Sequence, residues 1–121
     1  MFNYRILISS IIFLILDFLF LGLMKNYFNY QVKLIQGTPL KANLFGALLS
    51  YLFLLIGLNY FIIIPKKNVS DAFLLGLIIY GVFDATNYAM FKEYLITTLI
   101  IDTLWGGILF ASTTYLTSLI S

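Results

Sequence analysis

The sequence predicts an all-α fold: a polytopic membrane protein built as a bundle of four transmembrane helices. Three observations predict it. Of the 121 residues 62% are hydrophobic and only 10% charged, where a soluble domain carries roughly a quarter charged. Mean hydropathy is +1.02. Four apolar runs approach the ~20 residues that cross a bilayer core, at about 6–24, 43–64, 72–91 and 95–120. A single four-span domain over 1–121 is expected, with almost no mass outside the membrane.

The first run, 6–24, carries Asp17 as its only charge. Arg5 ahead of it imitates a signal peptide, but no small-x-small cleavage site follows, so it reads as a retained span. No lipidation signal is present. Segment 25–41 is the one long connection. Tyr27, Phe28, Tyr30, Val32, Leu34 and Ile35 make it partly apolar, which suits a helix extension or an interfacial segment. Its aromatic residues read as membrane-boundary anchors. Gln36-Gly37-Thr38-Pro39 then reads as a turn. The second run ends at Pro65-Lys66-Lys67, a helix stop with interfacial charge. The third follows Asn68-Val69-Ser70-Asp71, where Ser70 or Asp71 is expected to cap. The fourth follows the Lys92-Glu93 break. An even number of spans puts both ends of the chain on one side. Arg5, Lys66 and Lys67 there face Lys25, Lys33, Lys41 and Lys92 opposite, which gives no bias under the positive-inside rule.

Composition also excludes functions. A net charge of +2 from scattered basic residues is no nucleic-acid footprint. With neither cysteine nor histidine, disulfides, iron–sulfur clusters and the usual neutral-pH proton shuttle are absent. Proton chemistry falls to carboxylates, tyrosines and lysines, and nothing in the sequence calls for a cofactor. Catalysis has thin support, and no catalytic residue is assigned. Headgroup chemistry would want Arg or Lys clamps beside the acids, but the only arginine is Arg5, at the wrong end of its span. A serine hydrolase would lack its histidine base.

The polar stretch Tyr80 to Phe91 stands out inside the third run. An intramembrane aspartate costs about 3 kcal/mol even on the lenient insertion scale. Tyr80, Asp84, Asn87 and Phe91 recur at i, i+4, i+7 and i+11 and share one helical face; Thr86 and Tyr88 point elsewhere. Asp17, Asp84 and Asp102 all lie within spans, whereas Asp71 and Glu93 lie at span ends. At about 1.5 Å of rise per residue, Asp17 and Asp84 fall just past the centres of their spans. Asp102 falls before the centre of a span running back. All three therefore occupy one layer, in the half of the bilayer facing segment 25–41. Thr98, Asp102, Trp105 and Gly106 share a face of the fourth helix, with the indole N–H one turn from the carboxyl. Asn43, Gly46, Ala47, Ser50 and Gly57 give the second helix a small-residue face suited to close packing or a cavity wall.

Carboxyl groups gathered in low dielectric cannot all be ionised without cations and titrate as a coupled set. Two uses follow. One is a proton or cation site made by Asp17, Asp84, Asp102 and Asn87 and supported by Tyr80, Trp105 and Thr98. The other is a set of neutral aspartates, bonded to Tyr80, Asn87, Thr98 and Trp105, that fix helix register. The functional expectation is proton- or cation-linked passage of a small solute. The alternative is a structural or accessory membrane subunit. A lipid-modifying enzyme is a third reading, and would need a lipid held against the aspartates. The expected surroundings are the lipid bilayer and either copies of the chain or other membrane subunits. Gly76, Gly81 and Ala85 on the third helix, and Gly46 and Ser50 on the second, are the expected close-approach surfaces.

Two stretches echo each other: Asp17-Phe18-Leu19-Phe20-Leu21-Gly22 and Asp102-Thr103-Leu104-Trp105-Gly106-Gly107 both read Asp-x-Leu-aromatic-x-Gly. Together with Phe83-Asp84-Ala85-Thr86-Asn87, these motifs resemble a family of small four-span membrane proteins classed as a domain of unknown function of the 2177 series. The family pattern has Asp-x-x-Trp-Leu-Gly in the first span, Tyr-Asp-x-Thr-Asn in the third and Asp-x-x-Trp-Gly in the fourth. Phe20 and Phe83 depart from it; the three aspartates keep their places. The resemblance implies the four-span fold and the aspartate cluster, and it assigns no activity.

Overall fold

The computed structural model describes residues 4–121, and among these every regular element is helical. Helix α1 spans Tyr4–Leu23 and α2 spans Lys25–Gln36. Helix α3 covers Leu44–Leu58 and runs on into a π-helical turn at Asn59–Ile63. Helix α4 spans Val69–Met90 and α5 spans Ile96–Ile120. Four are long and apolar enough to cross a membrane: α1, α3 with its π turn, α4 and α5. The chain is an integral, multi-pass membrane protein. At the terminal end, the Arg5 guanidinium donates to Ser121 Oγ at 3.0 Å, so the start of α1 lies beside the end of α5.

Local chemistry sets the boundaries. Asn43 begins α3 by accepting from the Gly46 N–H at 3.1 Å. Asn68, not Ser70 or Asp71, caps α4, accepting from the Asp71 N–H at 2.8 Å. Asp71 instead sits in the first turn, where its charge suits the positive end of the helix dipole. Gly37 closes α2 in the left-handed region (φ +79°), which a residue without Cβ enters freely. Lys66 takes a similar conformation (φ +58°) after the π turn, where its N–H and that of Lys67 close onto Ile63 and Ile62.

Helices α4 and α5 form the tightest pair, an antiparallel hairpin. Its seam is made of glycine. A Cβ on Gly76 would strike the Gly106 carbonyl, and one on Gly106 would strike the Tyr80 ring. Gly76 therefore serves contact within the chain, not the intermolecular surface expected of it. Helix α1 lies on α5 through Phe13 and Phe110, whose rings meet edge to face at 5.6 Å. Leu58, Ile62, Ile63, Ala72 and Leu109 complete the core. That core gathers the last turns of α3, so α3 is fixed mainly at its C-terminal end. Farther up, Leu48 and Leu52 face outward, as a lipid-facing surface should.

Most of segment 25–41 is helix α2, with irregular chain from Gly37 to Asn43. Helix α2 lies against the turn between α4 and α5, held by a buried glutamine. Gln31 Oε1 accepts from the Leu95 N–H at 2.8 Å and from Thr98 Oγ1 at 2.6 Å, and its Nε2 donates to the Glu93 carbonyl at 3.0 Å. Leu95, the residue that opens α5, offers no side-chain cap of its own. Gln31 thus satisfies an orphan backbone N–H of that helix start.

Candidate functional site

The aspartate layer separates into two bonded groups. Asp17 is buried on α1 and has a partner on each oxygen: Oδ2 accepts from Tyr51 Oη of α3 at 2.5 Å, and Oδ1 from the Trp105 indole N–H of α5 at 2.9 Å. Three helices are tied by one carboxyl. Trp105 is held in turn by Phe20, stacked at 4.3 Å and 5° between planes. The two aromatic residues of the echoed motifs are therefore each other's neighbours.

Asp84 is fully buried on α4. Its Oδ1 accepts from Tyr94 Oη at 2.5 Å and its Oδ2 from Thr103 Oγ1 at 3.3 Å. Asp102, half-buried on α5, comes within hydrogen-bonding reach of Asp84. Two carboxyl groups can share a hydrogen bond only if at least one carries a proton. Tyr94 lies in the turn between α4 and α5 and is itself buried. Burial pushes its phenol above the ordinary value, and its bond to the Asp84 carboxyl pushes the same way; a hydrogen bond from Asn87 opposes them.

A cleft of about 630 Å³ opens beside these groups, between α3 and the rest of the bundle. Asp17 and Asp102 line it together with Ser50, Tyr51, Tyr80 and Phe83. Ala47 and Ser50, from the small-residue face of α3, form part of its wall. Tyr80 is within electrostatic range of all three aspartates. Among the described residues no three acidic side chains come together as ligands for a metal ion.

The remaining residues named from sequence fall in different places. The Asn87 side chain reaches Tyr94. Thr98 bonds to Gln31 and to Tyr27 Oη, the latter at 2.9 Å, so it belongs to the α2 contact and not to the aspartates. The hydroxyl partners that the aspartates do have, Tyr51, Tyr94 and Thr103, escape a reading by helical face, because each comes from a different element. Tyr51 had one signal. It lies one turn beyond Ala47 and beside Ser50, at the same depth as Asp17 on a helix running the opposite way.

The family described as "Predicted membrane protein (DUF2177)" matches residues 2–119, which include every helix described above except the last residue of α5. The chain belongs to this family. No curated protein and no solved structure matches it. In this DUF2177 member, then, the two carboxyl groups buried most deeply, Asp17 and Asp84, have hydrogen-bond partners on both oxygens. Asp102 alone both faces the cleft and reaches a second carboxyl.

Proposed function

We propose that the protein provides proton-linked passage for a small solute, with the cleft as the solute site and the Asp84–Asp102 pair as its titrating group. One observation carries the reading: Asp102 lines the cleft and at the same time reaches Asp84, which is bonded to Tyr94 at the α4–α5 turn. A chain of exchangeable protons thus runs from the cleft toward the side of the bundle that α2 covers. Acids within spans mark proton and ion pathways, and a shared proton is the element that a change in cleft occupancy can displace. Asp17 holds the wall in place through Tyr51 and Trp105. Tyr80 faces the cleft beside the pair.

The experiment is reconstitution. Infrared difference spectra of the protein in lipid across a pH series should show a carboxyl that titrates and is lost in both Asp84→Asn and Asp102→Asn. Under an imposed pH gradient, uptake of a panel of radiolabelled small amines should fail in Asp84→Asn liposomes although that variant inserts normally. A titration and flux unchanged by Asp84→Asn would overturn the reading.

A second reading draws on a different observation. Asp17 joins α1, α3 and α5 through two satisfied bonds, the arrangement of a residue that fixes register. On this reading the protein is a structural or accessory subunit, and the outward face of α3 meets a copy or another membrane protein. It expects aspartate substitutions to lower stability or assembly with no flux to lose.

A further inference from the structure

The lining of the cleft is specific about charge. Its acidic groups are Asp17 on α1 and Asp102 on α5. The other titratable side chains that face Asp102 are Tyr51 on α3, Tyr80 and Asp84 on α4, and Tyr94 in the turn; none is basic. Phe20, Tyr51 and Tyr80 also line the cleft, with Phe53 and Phe83 at its exposed rim. The basic residues of the chain sit at span ends or in the connections. A site with acids, aromatic rings and, among the described residues, no built-in counter-cation is complementary to an occupant that is positive at one point and apolar elsewhere, because aromatic rings attract cations and carboxyl groups neutralise them. At about 630 Å³ the cleft has the size of pockets that hold drug-sized molecules, roughly 300–1,000 Å³.

We infer that the occupant of the cleft is a lipophilic organic cation, an ammonium or phosphonium with an apolar body, which exchanges against a proton on the Asp84–Asp102 pair. This inference rests on the proton-linked reading above and names its substrate class. The proposed exchange starts from a neutral pair with one proton on each carboxyl. When the cation enters, one proton leaves to bulk water and the other is shared between the two carboxyls. The pair then carries one negative charge against one positive charge on the ligand. Charge balances at one proton released for each cation bound.

The test uses the full chain in detergent, with two probes of nearly equal size and opposite charge, tetraphenylphosphonium and tetraphenylborate. Binding is read from the fluorescence of Trp105, the only tryptophan, and proton release from a pH indicator in weak buffer. Tetraphenylphosphonium should bind saturably and release about one proton per site, while tetraphenylborate should bind at least tenfold more weakly. Asp102→Asn should abolish proton release. Ser50→Lys, which adds a positive charge to the cleft wall and leaves every carboxyl in place, should weaken the phosphonium at least tenfold without disturbing the thermal unfolding profile. Equal binding of both probes would overturn the inference, since the cleft would then be merely apolar. So would phosphonium binding that Ser50→Lys does not touch. If the infrared titration of the pair is present but the phosphonium does not bind, the cation inference fails and the proton-linked reading survives; if no carboxyl titrates, both fail.

Discussion

The α4–α5 seam makes a sharp prediction about substituting alanine for glycine. At Gly76 the added methyl would meet the Gly106 carbonyl carbon and oxygen and the Phe110 ring. Backbone cannot rotate out of the way, so the helices must part. Overpacking a tight core costs about 1–3 kcal/mol, and the rigid neighbour puts Gly76→Ala at the upper end, near 3 kcal/mol. At Gly107 the methyl would meet the edge of the Phe73 ring, 2.8 Å from its nearest atom. A side chain can yield, so about 1 kcal/mol is expected there. Gly22, in the last turn of α1, has nothing within 4 Å of the same position. Alanine there should be neutral or stabilising by up to about 1 kcal/mol on helix propensity. The three variants should therefore rank Gly22→Ala above wild type or equal to it, then Gly107→Ala, then Gly76→Ala. Thermal unfolding in detergent followed by Trp105 emission reads the order directly. Gly76 lies two turns from Asp84 and Gly106 one turn from Asp102, so the same wedge should also separate the carboxyl pair and shift its infrared band. A Gly76→Ala protein as stable as wild type, or a Gly22→Ala protein damaged as much, would refute the close-packed seam.

Other substitutions test other contacts. Tyr51→Phe removes one of the two bonds to Asp17 and should lower stability by about 0.6–1.7 kcal/mol, the range for hydrogen bonds between membrane helices, measured by the same unfolding assay. Gln31→Leu removes the contact that starts α5; amide exchange at Leu95 and protease cleavage at Lys33 should both rise, with the spanning helices unaffected. Lys66→Asn should stabilise by up to about 1 kcal/mol, because asparagine tolerates the left-handed conformation better. The Tyr94 phenol, raised in the folded protein, contributes stability that is complete below its ordinary value of about 10. That contribution is lost as pH climbs above 10, so Tyr94→Phe should flatten the fall in stability in alkaline buffer.

Much of this architecture is legible in the sequence, because membrane spans are written in unbroken apolar length. The observed helices begin and end within about three residues of the runs read from hydropathy, with Pro65 and the Lys92-Glu93 break marking two of the ends. A shared depth for the acids is expected from the helical rise alone. What depth cannot supply is azimuth. The rise places Asp17 and Asp102 near one level and both line the cleft, yet Asp17 turns to Tyr51 and Trp105 while Asp102 turns to Asp84. Which face of α1 meets α5 is decided by Phe13 and Phe110, and no periodicity within either helix announces that pairing. Gln31 was the harder case. It stands among aromatic and basic residues that all suggest an interface, and its role appears only when residues 64 positions later are folded against it.

That distance along the chain bears on how the protein is made. The opening turn of α5 has no partner for its first amide until α2 is already in position, and α2 belongs to the half of the chain that leaves the ribosome first. The last hairpin therefore arrives at a waiting receptor, and biogenesis has a natural order. Two pieces divided in the connection after Gly37 and produced together should find one another in the membrane, whereas the C-terminal piece produced alone should fray at Leu95.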